Sequence, residues 1–199
     1  MVQNFVIPHS RPTLDESDLL SVSKVIRSGR IVQGEVVEKF ENKVAKYIGV
    51  DGAVAMNTGT SALHLSLLAI GIKEGDYVAM PSFVCTALLN AVRYVGAHPT
   101  LVDIDPETYN IDIRDLKKRV KKSTKAIILP HLFGLPADID EIVSLGIPVI
   151  EDCAQAIGAV YKGRKVGSFG KLSCFSFYAT KVLSTGEGGM VVSDSKSLL

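Results

Sequence analysis

The chain has 199 residues, of which 47% are hydrophobic and 22% are charged, and its formal net charge is +1. This length fits one domain, and the apolar content allows a sizeable core and excludes a disordered chain. A net charge this small argues against a nucleic-acid-binding protein, since such proteins carry a broad basic surface. The one basic run, residues 114–125, has its lysines on one helical stripe and is interpreted as a solvated helix face.

The first two elements are predicted to be helices. Thr13 and Glu16 form a capping-box pattern before apolar residues at helical spacing, and Gly29 is placed to end this helix. A second helix is predicted after Gly34, because apolar residues recur at the same period as far as Tyr47.

Beyond residue 50, short apolar runs alternate with helical segments. This alternation predicts βαβ units and a mainly parallel sheet covered by helices on both faces, a three-layer α/β/α fold. Ligands bind at the carboxyl ends of the strands in such sheets, so the residues that follow each strand are the candidate site residues. The predicted strands are GAVAMNTG, DYVAMP, PTLVDIDP, KAIILPHLFG, IPVIEDCAQ, LSCFSFYA and GGMVVSD.

Three cysteines, Cys85, Cys153 and Cys174, lie in apolar surroundings without a CxxC or Cys/His pattern. Free thiols are therefore expected, with neither a disulfide framework nor a metal site. The N-terminal residues lack the basic start and apolar core of a signal peptide, and no apolar run is long enough to span a bilayer. These features predict a soluble, cytoplasmic protein that does not bind membranes.

Gly59 and Thr60 lie in the sequence NTGTSALHL, between the first predicted strand and a helix. Gly59 lets the backbone approach a ligand closely, and the free N–H groups at a helix N-terminus favour a phosphate. An ordinary capped strand-to-helix turn explains the same residues equally well. The familiar nucleotide motifs GxxxxGK[ST] and GxGxxG are absent.

Asp152 ends the apolar strand IPVIED, where a carboxylate is costly to desolvate unless a cation faces it. It is interpreted either as a helix N-cap or as the partner of a cationic ligand atom. Asp152 is the better candidate than Glu151, since side chains alternate along a strand and Asp152 lies one step nearer the crevice.

Lys181 lies between the aromatic run FSFYAT and the glycine-rich VLSTGEGG. On its own it is most simply a surface lysine in a loop. The alternative is a desolvated amine that attacks a carbonyl in its neutral form. A phosphate-binding turn, a strand-end acid and a lysine after a later strand are together the three groups that pyridoxal phosphate requires.

On these motifs, the chain resembles the N-terminal half of the DegT/DnrJ/EryC1/StrS family of sugar aminotransferases. The resemblance covers essentially the whole chain, and its most specific part is EDCAQA followed by ATKVLSTGEGG. It implies the fold-type I large domain over residues 1–199, with the family's C-terminal small domain absent. It also implies a pyridoxal 5'-phosphate-dependent homodimer that transfers an amino group, with L-glutamate as the donor, to a nucleotide-linked keto sugar.

The resemblance assigns a role to each matching residue. Lys181 matches the lysine that holds the cofactor covalently and moves a proton between the substrate and the cofactor. Asp152 matches the acid that keeps the pyridine nitrogen protonated, and Gln155 matches the glutamine near the cofactor's phenolic oxygen. The expected phosphate ligands are Gly59, Thr60 and Ser176.

Two features depart from the family pattern. The aromatic residue that stacks on the cofactor ring stands four positions after the proline of the PS turn, and here that position is Cys85. Either Phe83, the only nearby aromatic residue, reaches the ring, or Cys85 packs on it. The missing small domain also leaves open a truncated, inactive fragment that binds the cofactor weakly or not at all and acts only as a folding or interaction module.

Within the family, Lys181 favours the aminotransferases over the branch that carries histidine there and dehydrates sugars, because imidazole cannot form a reversible imine. Retention of Asp152, Gln155 and Ser176 also favours the enzyme over the fragment.

Overall fold

The computed structural model describes residues 7, 8 and 10–199. After two N-terminal helices, strands and α-helices alternate as far as Asp152, and the remaining described strands follow without an α-helix between them. The α-helices are α1 (Glu16–Ser28), α2 (Glu35–Ile48), α3 (Gly59–Ala69), α4 (Thr86–Tyr94), α5 (Ile113–Arg119) and α6 (Ile139–Val143). The strands are β1 (Gly52–Met56), β2 (Tyr77–Pro81), β3 (His98–Val102), β4 (Thr124–Pro130), β5 (Val149–Asp152), β6 (Val160–Tyr161), β7 (Arg164–Lys165), β8 (Leu172–Ser176) and β9 (Gly189–Ser193).

Seven of these strands form one sheet in the order β1-β9-β8-β5-β4-β2-β3. Strand β9 runs antiparallel to β1 and β8, and the remaining pairs are parallel, which confirms the mainly parallel sheet. The parallel register aligns Pro130 with Asp152, and Asp152 with Cys174. The carboxyl ends of β4, β5 and β8 therefore meet at one edge of the sheet.

Strand β4 shows how both faces of the sheet are covered. Ile127 and Leu129 pack into the cluster formed with α2, α5 and α6, whereas Ala126 and Ile128 pack into the cluster formed with α3 and α4. All four side chains are fully buried, which explains why the strand is an apolar run without polar alternation. This arrangement confirms the three-layer α/β/α fold.

The N-terminal helix α1 begins differently from the prediction. Asp15 is the N-cap and accepts hydrogen bonds from the amides of Ser17 and Asp18, while the carboxylate of Asp18 accepts one from the amide of Asp15. The capping box is thus formed by Asp15 and Asp18, and the prediction for Thr13 and Glu16 was wrong, because a carboxylate two positions further on makes the same contacts. The helix ends at Gly29 in a left-handed conformation (φ 72°), as predicted.

Two helices expose apolar side chains. α1 contains no buried residue, and its side chains Leu19, Leu20, Val22 and Ile26 are more than half exposed. α3 is apolar nearly all round, yet it is buried on one side only.

The basic residues of α5 are exposed, which confirms a solvated helix face as far as Arg119. The helix ends there, so Lys121, Lys122 and Lys125 are exposed but lie beyond it, and the longer helical stripe was wrong.

Strands β6 and β7 form a small hairpin that the sequence analysis did not predict. Lys162 and Gly163 join them with positive φ angles (46° and 84°), as in a tight two-residue hairpin turn. Strands of two residues are too short to produce a visible alternation.

No helix in residues 7, 8 and 10–199 is long and apolar enough to cross a membrane. Residues 1–6, part of the segment in which no signal peptide is seen, lie outside the described residues.

Candidate active site

A cleft of about 270 Å³ opens at the carboxyl edge of the sheet, beside the N-termini of α3 and α4. It is the place where a ligand is expected in an open parallel sheet. All the predicted site residues except Phe83 line it: Gly59, Thr60, Cys85, Asp152, Gln155, Ser176 and Lys181.

The turn into α3 provides a helix N-terminus with unused donors. Thr58 is the N-cap, and its hydroxyl accepts a hydrogen bond from the amide of Ser61 at 3.0 Å. Its carbonyl accepts another from the amide of Ala62. Within the described part of the chain, the amides of Gly59 and Thr60 have no acceptor. The turn is therefore capped, as in an ordinary strand-to-helix turn, and it also presents two N–H groups to the cleft, where they can bind an anion.

Gly59 is held against the end of β8. A Cβ added at this position would lie 2.8 Å from the Cβ of Ser176, closer than carbon atoms approach in proteins. Glycine thus allows the contact, and the contact brings the Ser176 hydroxyl beside the N-terminus of α3. Two free amides, a hydroxyl and the helix dipole converge, and together they fit a phosphate group.

Asp152 is a nearly buried carboxylate with one oxygen left open. Its side chain is 8% exposed, and Oδ1 accepts a hydrogen bond from the amide of Ala154 at 3.0 Å. No described residue donates to the other oxygen. Burial raises the pKa of Asp152, and the hydrogen bond from Ala154 and the charge of Lys181 oppose this shift. Such a carboxylate fits a cationic N–H group of a ligand.

The helix N-cap interpretation of Asp152 does not hold. Residues 154–158 form turns, so no helix begins after Asp152. Its bond to Ala154 closes a local turn instead.

Lys181 lies in the loop from Phe177 to Gly188, which joins β8 to the antiparallel β9. Backbone hydrogen bonds close this loop, from Phe177 to Gly188, from Thr185 to Phe177, and from Lys181 to Tyr178. Lys181 is half-buried, lines the cleft, and forms no ion pair with any described carboxylate. Its position in the cleft with Asp152 distinguishes it from an ordinary surface lysine.

Gln155 is held in one orientation. The amide of Phe133 donates to Oε1 of Gln155 at 3.0 Å, so the oxygen points toward Phe133 and the NH₂ group is left as the free end. Phe133 adopts a positive φ of 54°, which is uncommon for a residue with a large side chain. A glutamine fixed in this way offers donors to the cleft, which suits a ligand oxygen that carries negative charge.

Phe83 and Cys85 differ in position. The Phe83 ring is half exposed and contacts the ring of Tyr109, with centroids 5.7 Å apart, and it lies outside the cleft lining. Cys85 precedes α4, is exposed, and lines the cleft. Of the two residues, only Cys85 lines the cleft. Of the two alternatives for the ring face, the geometry favours Cys85.

Glu151 forms a buried network that the sequence analysis did not anticipate. Its carboxylate is fully buried, and it accepts hydrogen bonds from the amides of Gly167, Phe169 and Gly170, from the hydroxyl of Ser173 and from Nε2 of His131. Burial alone raises the pKa of Glu151, but the hydrogen bonds from His131 and the backbone outweigh it and the pKa is lowered.

His131 connects this network to the cleft, which it also lines. Its Nδ1 accepts a hydrogen bond from the amide of Ala137 at 3.1 Å, so the ring carries its proton on Nε2 and donates to Glu151. The possible ligand atoms of His131, Glu151 and Cys153 lie within 4.8 Å of one another, close enough for one metal ion to contact all three. The ring nitrogens and carboxylate oxygens are already engaged, so this cluster is not a metal site. His131 directly follows β4, so strand order places it at this edge of the sheet, but no local pattern indicates Glu151 as its partner.

Comparison with known proteins identifies the family. The sequence profile of the DegT/DnrJ/EryC1/StrS aminotransferase family matches residues 12–199. The chain belongs to this family. The aminotransferases of the family depend on pyridoxal phosphate. Over 197 residues the chain is 44% identical to the GDP-perosamine synthase of Escherichia coli O157:H7. The aligned region covers 96% of this chain and 54% of that relative.

Solved structures of the family have the same fold. A putative sugar aminotransferase from Streptococcus pneumoniae, in its pyridoxal phosphate form, superimposes with a TM-score of 0.93 at 29% identity, covering 98% of this chain and 55% of that protein. The GDP-4-keto-6-deoxy-D-mannose-3-dehydratase of E. coli, with bound hydrated pyridoxal phosphate, gives a TM-score of 0.92 at 31% identity, covering 96% and 52%. These matches confirm the fold-type I class. The chain spans about half the length of the curated relatives that it matches.

Proposed function

We propose that this chain is the cofactor-binding large domain of a pyridoxal 5'-phosphate-dependent sugar aminotransferase, over residues 1–199. The observation that carries the proposal is the open, nearly buried carboxylate oxygen of Asp152, which shares one cleft with Lys181 and with the donors around Gly59. Among the described residues, an acid with one open oxygen, an amine without a counter-ion and a phosphate-binding turn match the three ends of one cofactor.

Each residue has a separate task in this proposal. The amides of Gly59 and Thr60 and the hydroxyl of Ser176 bind the phosphate, which fixes the cofactor at one end. Asp152 holds a proton on the pyridine nitrogen, and Gln155 donates to the phenolic oxygen. Bound pyridoxal phosphate supplies an aldehyde that takes up amino groups and a ring that stabilises negative charge on the adjoining carbon.

Lys181 holds the cofactor and serves as the base. In the unprotonated state its Nζ would take a proton from the substrate carbon that bears nitrogen and would return it to the cofactor carbon on the other side of that nitrogen. Its place on the loop between β8 and β9 supports this role, because the backbone hydrogen bonds that close the loop keep the amine at the cleft. Cys85 completes the lining on the side where an aromatic residue is expected.

The proposed acceptor is a nucleotide-linked keto sugar and the proposed donor is L-glutamate. The similarity to GDP-perosamine synthase supports the acceptor class. Lys181 favours amino transfer over dehydration, the reaction for which the E. coli GDP-4-keto-6-deoxy-D-mannose-3-dehydratase is named. A lysine forms a reversible imine, and a histidine does not.

The proposed assembly is a homodimer in the cytoplasm. The exposed apolar side chains of α1 support an association that covers them, and the free thiols of Cys85, Cys153 and Cys174 fit a reducing compartment. The second candidate is the inactive fragment that binds the cofactor weakly or not at all, and Cys85 favours it because a thiol lines the cleft where an aromatic ring is expected to stack on the cofactor.

The test is a titration of the purified chain with pyridoxal phosphate, followed by its absorbance. We expect a visible band from the lysine-bound cofactor, and we expect Lys181→Ala to lose this band while Lys125→Ala, which removes an exposed lysine, keeps it. An equal band in the Lys181→Ala protein would refute the assignment of Lys181.

Turnover separates the two candidates. The loaded chain is incubated with L-glutamate and a GDP-linked keto sugar, and the amino sugar is measured by mass spectrometry. Amino sugar formation that depends on Lys181 supports the enzyme. A cofactor band without product supports a domain that binds the cofactor only, and the absence of both supports the inactive fragment.

A further inference from the structure

The three cysteines differ sharply in access. Cys153 and Cys174 are 1% exposed, and burial raises the pKa of both thiols, which makes them poor nucleophiles. Cys85 is exposed, and its side chain forms no hydrogen bond to the first turn of α4, which it precedes. A thiol reagent in water therefore meets one accessible thiol in this chain.

This thiol lies inside a ligand site rather than on an open surface. Cys85 lines the same cleft as Asp152, whose nearly buried carboxylate keeps one oxygen without a partner among the described residues. That oxygen is open to the cleft and suits a cationic group of a ligand, so it points to a ligand independently of the cysteine. The cleft has a volume of only about 270 Å³, so a group attached to the Cys85 sulfur competes with the ligand for the same space.

We propose that Cys85 is a modification site that controls cofactor occupancy, and that the modifying ligand is a small disulfide. The inference rests on the proposed function, because it requires that the cleft binds pyridoxal phosphate. The position that carries an aromatic ring in the family carries an exposed thiol here. Modification enlarges this small side chain, so that it fills the space in the cleft that the cofactor would occupy.

The chemistry is thiol–disulfide exchange. Cys85 loses its proton to water, and the thiolate sulfur attacks one sulfur of the disulfide. A protein–reagent S–S bond forms as the reagent's S–S bond breaks, and the other half of the reagent leaves as a thiolate. Excess thiol reverses the reaction, so the block on the cofactor is reversible.

The first arm of the test measures protection of Cys85. The unmodified chain reacts with 5,5'-dithiobis(2-nitrobenzoic acid), the released thiolate is followed by absorbance, and peptide mass spectrometry locates the adduct. Pyridoxamine phosphate is the protecting ligand, because it lacks the aldehyde that reacts with thiols. At about ten times its dissociation constant, mass action slows the reaction about tenfold if the adduct and the ligand exclude each other.

The second arm measures the reverse effect. The adduct is freed of reagent and released thiolate by gel filtration before pyridoxal phosphate is added, and we expect it to lack most of the visible cofactor band. Treatment with dithiothreitol, followed by the same gel filtration and fresh cofactor, should restore the band. In Cys85→Ser, the band measured with the reagent equals the band measured without it. Circular dichroism checks that the variant is folded, with Cys85→Ala as the alternative, and the protection arm needs no variant.

The outcomes distinguish the two proposals. If the untreated chain shows no cofactor band and no binding of pyridoxamine phosphate, the proposed function is overturned and this inference with it. If the cofactor binds, but Cys85 reacts at an unchanged rate or the adduct leaves the band intact, only the inference about Cys85 is overturned.

Discussion

Replacing Asp152 by asparagine is expected to stabilise the cofactor-free chain and to weaken cofactor binding. The two effects have opposite signs because Asp152 has one filled and one open oxygen. Asparagine keeps an oxygen for the amide of Ala154, so the local turn persists. It removes the negative charge that is unfavourable in the empty cleft and favourable against a cationic ligand nitrogen.

The stability effect follows from the raised pKa of Asp152. Between the ordinary value of 3.8 and the folded-state pKa, the folded chain binds more protons than the unfolded chain, so stability falls as the pH rises through this window. Each unit of the shift costs about 1.4 kcal/mol at neutral pH. The Asp152→Asn protein should regain this free energy of unfolding, and each 1 kcal/mol raises the melting temperature of a chain of this size by about 2–4 °C. At pH values below 3.8, the ordinary pKa, the stability difference between the variant and the parent should disappear.

The binding effect has the opposite sign. Removing one partner of a buried, hydrogen-bonded charge pair costs about 2 to 5 kcal/mol. This corresponds to an increase of about 30- to 4,000-fold in the dissociation constant of pyridoxal phosphate.

Thermal unfolding without cofactor at several pH values measures the first effect, and titration with pyridoxal phosphate measures the second. Asp51→Asn is the matched control, because it removes an exposed carboxylate outside the cleft. A less stable Asp152→Asn chain that binds the cofactor as tightly as the parent would refute the reasoning, since it would show that Asp152 serves the fold alone.

Gly59→Ala is expected to lower the free energy of unfolding by about 1 to 3 kcal/mol and to weaken phosphate binding, since the new methyl group meets Ser176. Urea unfolding checks it against Gly34→Ala, where the added carbon meets nothing closer than 3.9 Å, and equal effects in the two variants would contradict the contact. Glu151→Gln is expected to cost about 3 to 5 kcal/mol at neutral pH, because it leaves several buried donors without their carboxylate. The pKa of Glu151 is lowered, so this stabilisation is complete above the ordinary value of 4.5 and lost as the pH falls through the folded-state pKa. If the difference in the free energy of unfolding between Glu151→Gln and the parent chain does not become smaller at acid pH, the charge of the Glu151 carboxylate is not the cause of the difference.

The sequence predicted the fold and most of the cleft because both follow from strand order. Buried strands such as β4 are recognisable as apolar runs, and a parallel sheet brings the residues after those strands to one edge. Gly59, Asp152 and Lys181 are far apart in sequence, and each was ambiguous when considered alone. Their combination, and the resemblance of the surrounding motifs, gave the cofactor hypothesis.

The features that were missed depend on distances that no local pattern encodes. The orientation of Gln155 is fixed by the amide of Phe133, which lies on another loop. Phe83 and Cys85 were both candidates for the ring face, and they are separated by the cleft, which Cys85 lines, and by the packing of Phe83 on Tyr109. The cap of α1 was misplaced because several residues near its start are able to cap a helix, and backbone geometry selects Asp15.

Glu151 and Asp152 show that the alternation of side chains along a strand distinguishes a structural carboxylate from a ligand-binding one. They are adjacent on β5 and both nearly or fully buried, yet the pKa of Glu151 is lowered and that of Asp152 is raised. Donors of this chain fill both oxygens of Glu151, whereas one oxygen of Asp152 has no donor among the described residues and is open to the cleft. A cationic group of a ligand in the cleft can therefore pair with Asp152. Neutralising Glu151 should therefore destabilise the empty chain, and neutralising Asp152 should stabilise it.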